Sequence, residues 1–348
     1  MMKSFFLDGR GTIEEMWLPN ALPALKKNRP TAFIVAWTLS SFFTSGDISS
    51  WSEPLSVEVV PLNVDVGARI VGPAGALVYR GGVELTSEDP RFGGLSGLLA
   101  GEKGRRMLAI SDNGWWLQGK LIYNERGDLA GVQEVSILPM RSLEPSVNFT
   151  LDAEALIQTG DGGLIVAYER QHRIWSYRDV WSNPTPISMG GMLSKLPLNS
   201  GIEALVLMAP GELLAITETG TVESNFAAFH KTEGGISRIE YPYHSYFRPS
   251  DAVRIASNSL LVLERGYNKQ AGVGARLVLV QARAPIGNFE ITGDVVVELG
   301  SPIPLDNFEG LAIVSRPSSP AQIYLLSDDN YSSSQRTLLM MFDLEMWR

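Results

Sequence analysis

The chain has 348 residues, 45% of them hydrophobic, enough to bury a full core. Only 19% are charged, whereas 34 glycines and 20 prolines suit many short strands joined by tight turns. A net charge of -9 argues against a nucleic-acid partner and allows a bound cation; the absence of cysteine excludes disulfides, a thiol nucleophile and Cys-ligated zinc.

Residues 1–50 read as a signal or targeting segment with an N-terminal extension. Lys26, Lys27 and Arg29 precede an uncharged run from Thr31 to Phe43, the order found in a secretory signal. The run is too short for a stable membrane anchor. Asp8, Glu14 and Glu15 are out of place at a signal's start, which favours Met16 as initiator. Thr44-Ser45-Gly46 is the best cleavage site, so the mature chain is expected to begin between about Gly46 and Pro54. Export to the periplasm or the medium follows, with no membrane span after processing. A buried helix of the domain is the alternative.

From residue 55 to 348 the chain reads as one domain, and after residue 90 it repeats one phrase five times. A small apolar motif leads through a Gly/Pro/Ser-rich break to an apolar run capped by an acid. The copies are GGLSGL to LAISDNG (93–114), LDAEAL to LIVAYER (151–170), GIEAL to LLAITE (201–218), PSDAVRI to LLVLERG (249–266) and DNFEGLAI to IYLLSDDN (306–330). Taking Ser96, Glu154, Glu203, Asp251 and Glu309 as equivalent gives steps of 58, 49, 48 and 58 residues. Such a period, with several short strands in each unit and helical periodicity nearly absent, predicts an all-β propeller. The chain outside the five phrases exceeds one blade and is short for two, which favours six blades, one of them degenerate. TLLMMFDL (337–344) is expected to close the ring on a segment from the start, such as LSVEVV (55–60).

Each phrase also reads as a hairpin. Glu154 and Glu169, Glu203 and Glu218, Asp251 and Glu264, Glu309 and Asp328, and Ser96 and Asp112 each lie equidistant from turn-forming residues. Without a bulge, both members of each pair arrive side by side at one end of the hairpin. Like charges placed opposite each other weaken a sheet, so the arrangement needs a compensating cation or arginines. The first strands of propeller blades line the central channel. Glu154, Glu169, Glu203, Glu218, Glu264, Glu309 and Asp328 would then converge on one mouth, a set of hard oxygens suited to Ca²⁺ or Mg²⁺. Alternatively, the acids accept backbone N–H groups from the next blade or pair with Arg170, Arg173 and Arg265.

The phrases resemble the esterase-like, phytase-like family of bacterial exported proteins over about residues 66–345. The carriers are YRGGVEL (79–85), FGGLSGL (92–98), AISDNGWW (109–116), LDAEAL (151–156), YER (168–170), GIEAL (201–205), RPSDAV (248–253), LLVLERGY (260–267), DNFEGLA (306–312) and LSDDNYSSSQRTLLMMF (326–342). The resemblance implies a propeller related in architecture to calcium-dependent phytases and lactonase-type propellers, and says less about chemistry. Ser96 departs from the pattern where other phrases carry an acid.

A serine-hydrolase elbow is absent: Gly94-Leu95-Ser96-Gly97-Leu98 lacks the final glycine, and no helix is expected to follow. Of His172, His230 and His244, His172 lies closest to a channel acid. GVGAR (272–276) has no following helix, and SDDNYSSSQ (327–335) lacks the glycine and glutamate of an EF-hand. Trp115 and Trp116 are core residues or, for one of them, a stacking platform. Arg265 and Arg170 either hold an anionic substrate or neutralise their neighbours. These residues predict a metal-dependent hydrolase of a phosphoester, carboxylic ester or lactone, with Asp112, Asn113, His172 and Arg265 as catalytic candidates. The rival is a non-catalytic propeller that binds a ligand or partner and uses its acids as fasteners.

Overall fold

Apolar runs broken by Gly, Asn, Asp and Pro turns build the fold, and almost every regular element is a strand. The computed structural model describes residues 52–347 apart from 102, 144–150, 221–224, 243–245, 271, 284–289 and 317–318. The signal-like segment, its cleavage site and His244 lie outside these residues.

Four strands open the described chain: β1 (Glu53–Pro54), β2 (Glu58–Pro61), β3 (Arg69–Val71) and β4 (Gly75–Thr86). The first blade is β5 (Leu95–Gly101), β6 (Arg106–Ser111), β7 (Trp115–Tyr123) and β8 (Leu129–Pro139), with β1 on its outer edge. The second is β9 (Ala153–Gln158), β10 (Leu164–Tyr168), β11 (Arg173–Tyr177) and β12 (Thr185–Ile187). The third is β13 (Ile202–Ala209), β14 (Glu212–Thr217), β15 (Phe226–Thr232) and β16 (Gly235–Tyr241). The fourth is β17 (Arg248–Ala256), β18 (Ser259–Asn268), β19 (Gly272–Arg283) and β20 (Glu290–Glu298). The fifth joins β21 (Asn307–Val314), β22 (Ala321–Asp328) and β23 (Thr337–Met346) to β4, β2 and β3. The first strands β5, β9, β13, β17 and β21 touch in that order, and β21 returns to β5.

The propeller therefore has five blades, not the six that spacing favoured. The N-terminal chain adds no blade of its own because it is spent on outer strands. The C-terminal strand β23 does pair with the start of the domain, from Thr337↔Leu85 to Met346↔Gly75. Its partner is β4 rather than residues 55–60; β2 lies one strand further out on β4.

Both faces of the inner strands are buried, so these strands read as continuous apolar runs, whereas outer strands such as β12 and β16 are largely exposed. Leu260, Leu261, Val262 and Leu263 are all fully buried. Alternation sends Leu260 and Val262 into the core shared with the third blade and Leu261 and Leu263 into the one shared with the fifth. Five such clusters fill the gaps between neighbouring blades.

Candidate site at the channel mouth

A bulge does intervene in every hairpin, and it decides where the acids go. The pairs Leu95↔Ser111, Ala153↔Tyr168, Ile202↔Thr217, Pro249↔Glu264 and Phe308↔Ser327 mark the same station in the five blades. Just beyond each, two residues of the first strand stand against one of the second. The first member of each bulge is Ser96, Glu154, Glu203, Ser250 or Glu309. A bulge re-aims its extra residue, so three glutamates leave the sheet face instead of opposing their partners. The residues after the station on the second strand are Asp112, Glu169, Glu218, Arg265 and Asp328.

The fourth blade breaks the pattern by one residue. Its acids Asp251 and Glu264 each fall one place off the ring positions, which Ser250 and Arg265 occupy. A one-residue slip turns a strand side chain to the opposite face, and both acids become fasteners. Asp251 accepts hydrogen bonds from the backbone N–H of Ala252 and, across the blade gap, of Leu311, at 2.7 Å each. Glu264, fully buried, accepts Nε–H of Arg276 at 2.5 Å and the Tyr241 hydroxyl at 2.7 Å. Arg276 also faces the Phe247 ring.

The remaining acids converge from several blades. Asp152, Glu154 and Glu169 bring one carboxylate oxygen each within 4.8 Å of one another, and so do Glu169, Glu203 and Glu218. Glu169 belongs to both groups. One of its oxygens also accepts the N–H of Gly201 at 3.0 Å. A side chain at residue 201 is impossible without rearrangement, because a Cβ there would come within 2.9 Å of Glu169 Cγ. Glu203 is 3% exposed, and no hydrogen bond or ion pair joins it to the described residues. Asp152, at φ 56°, lies 2.9 Å from Nε of Arg170, itself at φ 54°.

Burial and mutual repulsion hold protons on this cluster. Burial first, then Glu203, Asp112 and Glu309, push the Glu154 carboxyl far above the usual range. Glu203 rises in the same way, with Glu218 and Glu309 as repelling neighbours. Asp112 is pushed up to about 7 by burial, Glu309 and Asp152, although Ser96 Oγ donates to it at 3.3 Å. Asp328 reaches about 8 through burial, Asp112 and Glu309. Glu309, raised by burial, is relieved by Arg265 and by the Asn307 amide at 2.8 Å. Burial opposes the charge of Arg265, but Glu309, Glu203, Glu218 and Glu154 outweigh it and raise its pKa.

Beside the cluster opens a cleft of about 1020 Å³. Glu218 forms part of its wall, together with Arg248, Arg265, Arg336, Tyr246, Tyr267, Val273 and Asp306. Ser334 and Gln335, from the loop that follows Asp328, complete that side.

Residues 90–331 match the family model "Phytase-like: Esterase-like activity of phytase". The chain belongs to the phytase-like family. No curated protein sequence matches it. Among solved structures, the PQQ-bound aldose sugar dehydrogenase of Streptomyces coelicolor is 13% identical at a TM-score of 0.35, covering 84% of this chain and 100% of the other. The luciferin-regenerating enzyme is 10% identical at 0.39, covering 72% and 91%. The β-propeller domain of Cps50 (Swd1) from Myceliophteria thermophila is 9% identical at 0.39, covering 84% and 99%. Nothing about substrate or chemistry follows from likenesses this remote.

In this phytase-like propeller, six of the seven acids singled out in the sequence act on the common mouth. Glu154, Glu169, Glu203 and Glu218 form the tight groups, Glu309 couples to them electrically, Asp328 couples to Glu309 and Asp112, and Glu264 is drawn away by Arg276. Asp112 joins the mouth and its neighbour Asn113 is exposed. His172 donates through Nε2 to the Pro197 carbonyl at 2.7 Å, and its Nδ1 is buried without a hydrogen bond among the described residues. Trp116 is core, and Trp115 lies under the Arg91 guanidinium. Asp152 was missed: it precedes β9 at a left-handed φ of 56°, a position that no strand pattern marks. Arg248 and Arg336 carried no signal, since nothing local tells which arginines share a cleft.

Proposed function

We propose that this phytase-like protein is a metal-dependent hydrolase of a phosphoester, carboxylic ester or lactone. Glu218 carries the reading, because it belongs at once to the Glu169–Glu203–Glu218 group and to the wall of the arginine-lined cleft. The donors fit Ca²⁺ or Mg²⁺: all are carboxylate oxygens, and buried Glu203 has no other partner among the described residues. Glu154, Glu169, Glu203 and Glu218 would hold the cation, with Asp152 beside them. When bound, such a cation supplies positive charge that polarises an ester oxygen and makes water more acidic.

The chain's own groups supply the rest. Arg265, Arg248 and Arg336 bind and orient the oxyanion through guanidinium forks. Asp112, at about 7, holds or releases a proton at its carboxyl group near neutral pH, as a general acid–base residue requires. Asp328, at about 8, keeps its proton near neutral pH and limits the negative charge beside Asp112 and Glu309. Export is part of the reading, supported by Lys26, Lys27 and Arg29 before the apolar run.

The deciding experiment is metal analysis of the purified protein, followed by ester and phosphoester hydrolysis with and without chelator. Bound cation and chelator-sensitive turnover are expected. Hydrolysis unaffected by chelator would remove the metal from the mechanism. The fastener roles of Asp251 and Glu264 favour the rival, a non-catalytic binding propeller; neither cation nor turnover would select it.

A further inference from the structure

The cleft is not uniformly polar. Tyr267 and Val273 pair across β18 and β19, both line the cleft, and they are 68% and 41% exposed. They form an apolar step one ladder rung from Gly266↔Gly274 and two rungs from Arg265. Tyr246 closes the floor: it lies so near Gly266 that a Cβ there would stand 2.7 Å from its ring. Arg248 and Arg265 face each other directly in the β17–β18 ladder, and like charges so placed weaken a sheet. Arg265 is compensated by Glu309 at 3.1 Å and Arg336 by Asp306 at 3.3 Å, whereas Arg248 donates to the Glu218 backbone carbonyl at 3.1 Å.

We infer that the cleft is a subsite for a phosphoryl group carried on an apolar, aromatic body, with the phosphoryl oxygens on Arg248, Arg265 and Arg336 and the body on Tyr267 and Val273. The inference rests on the cleft being the substrate-binding half of the site proposed above. Three guanidinium groups offer more donors than the two oxygens of a carboxylate can use, and match the three of a phosphoryl group. The exposed Tyr267 ring offers a flat face for a second ring, which gains from burial and stacking. A compact polyanion is disfavoured, because its outer charges would meet Glu218, Asp306 and the apolar step.

The test is calorimetric titration of the full chain, kept in chelator so that neither a cation nor turnover is needed. Phenylphosphonate, methylphosphonate and inositol hexakisphosphate are the probes. Phenylphosphonate should bind about tenfold tighter than methylphosphonate. Tyr267→Ala, at an exposed site that leaves the core intact, should erase most of that ratio. Arg248→Gln should weaken both phosphonates by a similar factor. Equal binding of the two phosphonates, tightest binding of the hexakisphosphate, a ratio unchanged in Tyr267→Ala, or no binding by any probe would overturn the inference. Loss of the hydrolase reading in the chelator assay would leave this result untouched, so the two failures are distinguishable.

Discussion

Nε of Arg265 lies 3.1 Å from Oε1 of Glu309, and this contact ties the fourth blade to the fifth at the channel mouth. Arg265 stands where the other four blades place Asp112, Glu169, Glu218 and Asp328. A ring of five acids would repel itself; one arginine gives it a fixed internal cation. Glu154, Glu169, Glu203 and Glu218 of the second and third blades make no such close ion pair among the described residues, and on the reading proposed above they are the ones that gather a mobile cation.

Removing this charge should therefore be costly. Arg265→Gln leaves Glu309, 5% exposed, without its ion pair. A loss of about 2–4 kcal/mol is expected, somewhat below a fully buried pair because the arginine keeps partial solvent contact. Arg265→Gln combined with Glu309→Gln should recover more than half of it. Urea titrations of the three proteins in chelator measure both effects, and a neutral single variant would contradict the role given to the pair.

Glu203→Gln probes the cation. Wild type should gain about 2.7 kcal/mol at a hundredfold excess of calcium over its dissociation constant. The variant should lose most of that gain, while its metal-free stability stays level or rises as repulsion with Glu218 and Glu309 is relieved. Thermal melts with chelator and with calcium give the answer. A wild-type melt that millimolar calcium leaves unmoved rejects the site.

The fastener acids should behave in the opposite way. Glu264→Gln removes the carboxylate charge that faces Arg276, 6% exposed, and should cost about 3 kcal/mol. Asp251→Ala orphans the N–H groups of Ala252 and Leu311 and should cost about 1–3 kcal/mol. Neither should change the calcium-induced rise in melting temperature. A lost calcium response in Glu264→Gln would return that residue to the metal set.

Without a cation, stability should fall as pH rises from about 4 to about 8. Asp112 and Asp328 ionise near 3.8 when unfolded but near 7 and 8 when folded. Between those values the native state holds protons that the unfolded chain has released, so each increase in pH favours unfolding. Asp112→Asn should flatten that decline between about 4 and about 7 and Asp328→Asn between about 4 and about 8, and calcium should flatten it in wild type. Denaturant midpoints at several pH values in chelator test the sign; stability rising through this window would refute it.

The propeller was legible because its signal is local and repeated. Phrases of similar length, each an apolar run, a Gly/Pro break and a second apolar run, specify five hairpins wherever they end up in space. The acids at the ends of those runs, Glu154 with Glu169 and Glu203 with Glu218, marked the mouth for the same reason. Blade number was harder, since the 55–86 stretch carries strand character without saying whose edge it will join. Only the pairing of β4 with β23 made it part of the fifth blade.

What the sequence alone determined is the set of chemical groups and the hairpins that carry them. Tertiary structure decided which groups meet. A bulge inserts one residue with no compositional mark, and because strand side chains alternate faces, one residue separates a channel-facing acid from a buried fastener. Asp251 and Glu264 look like their counterparts in the chain and serve a different purpose in the fold. Likewise Arg248 and Arg265 are paired across one hairpin of the fourth blade, but Arg336 reaches their cleft only because the fifth blade packs against the fourth.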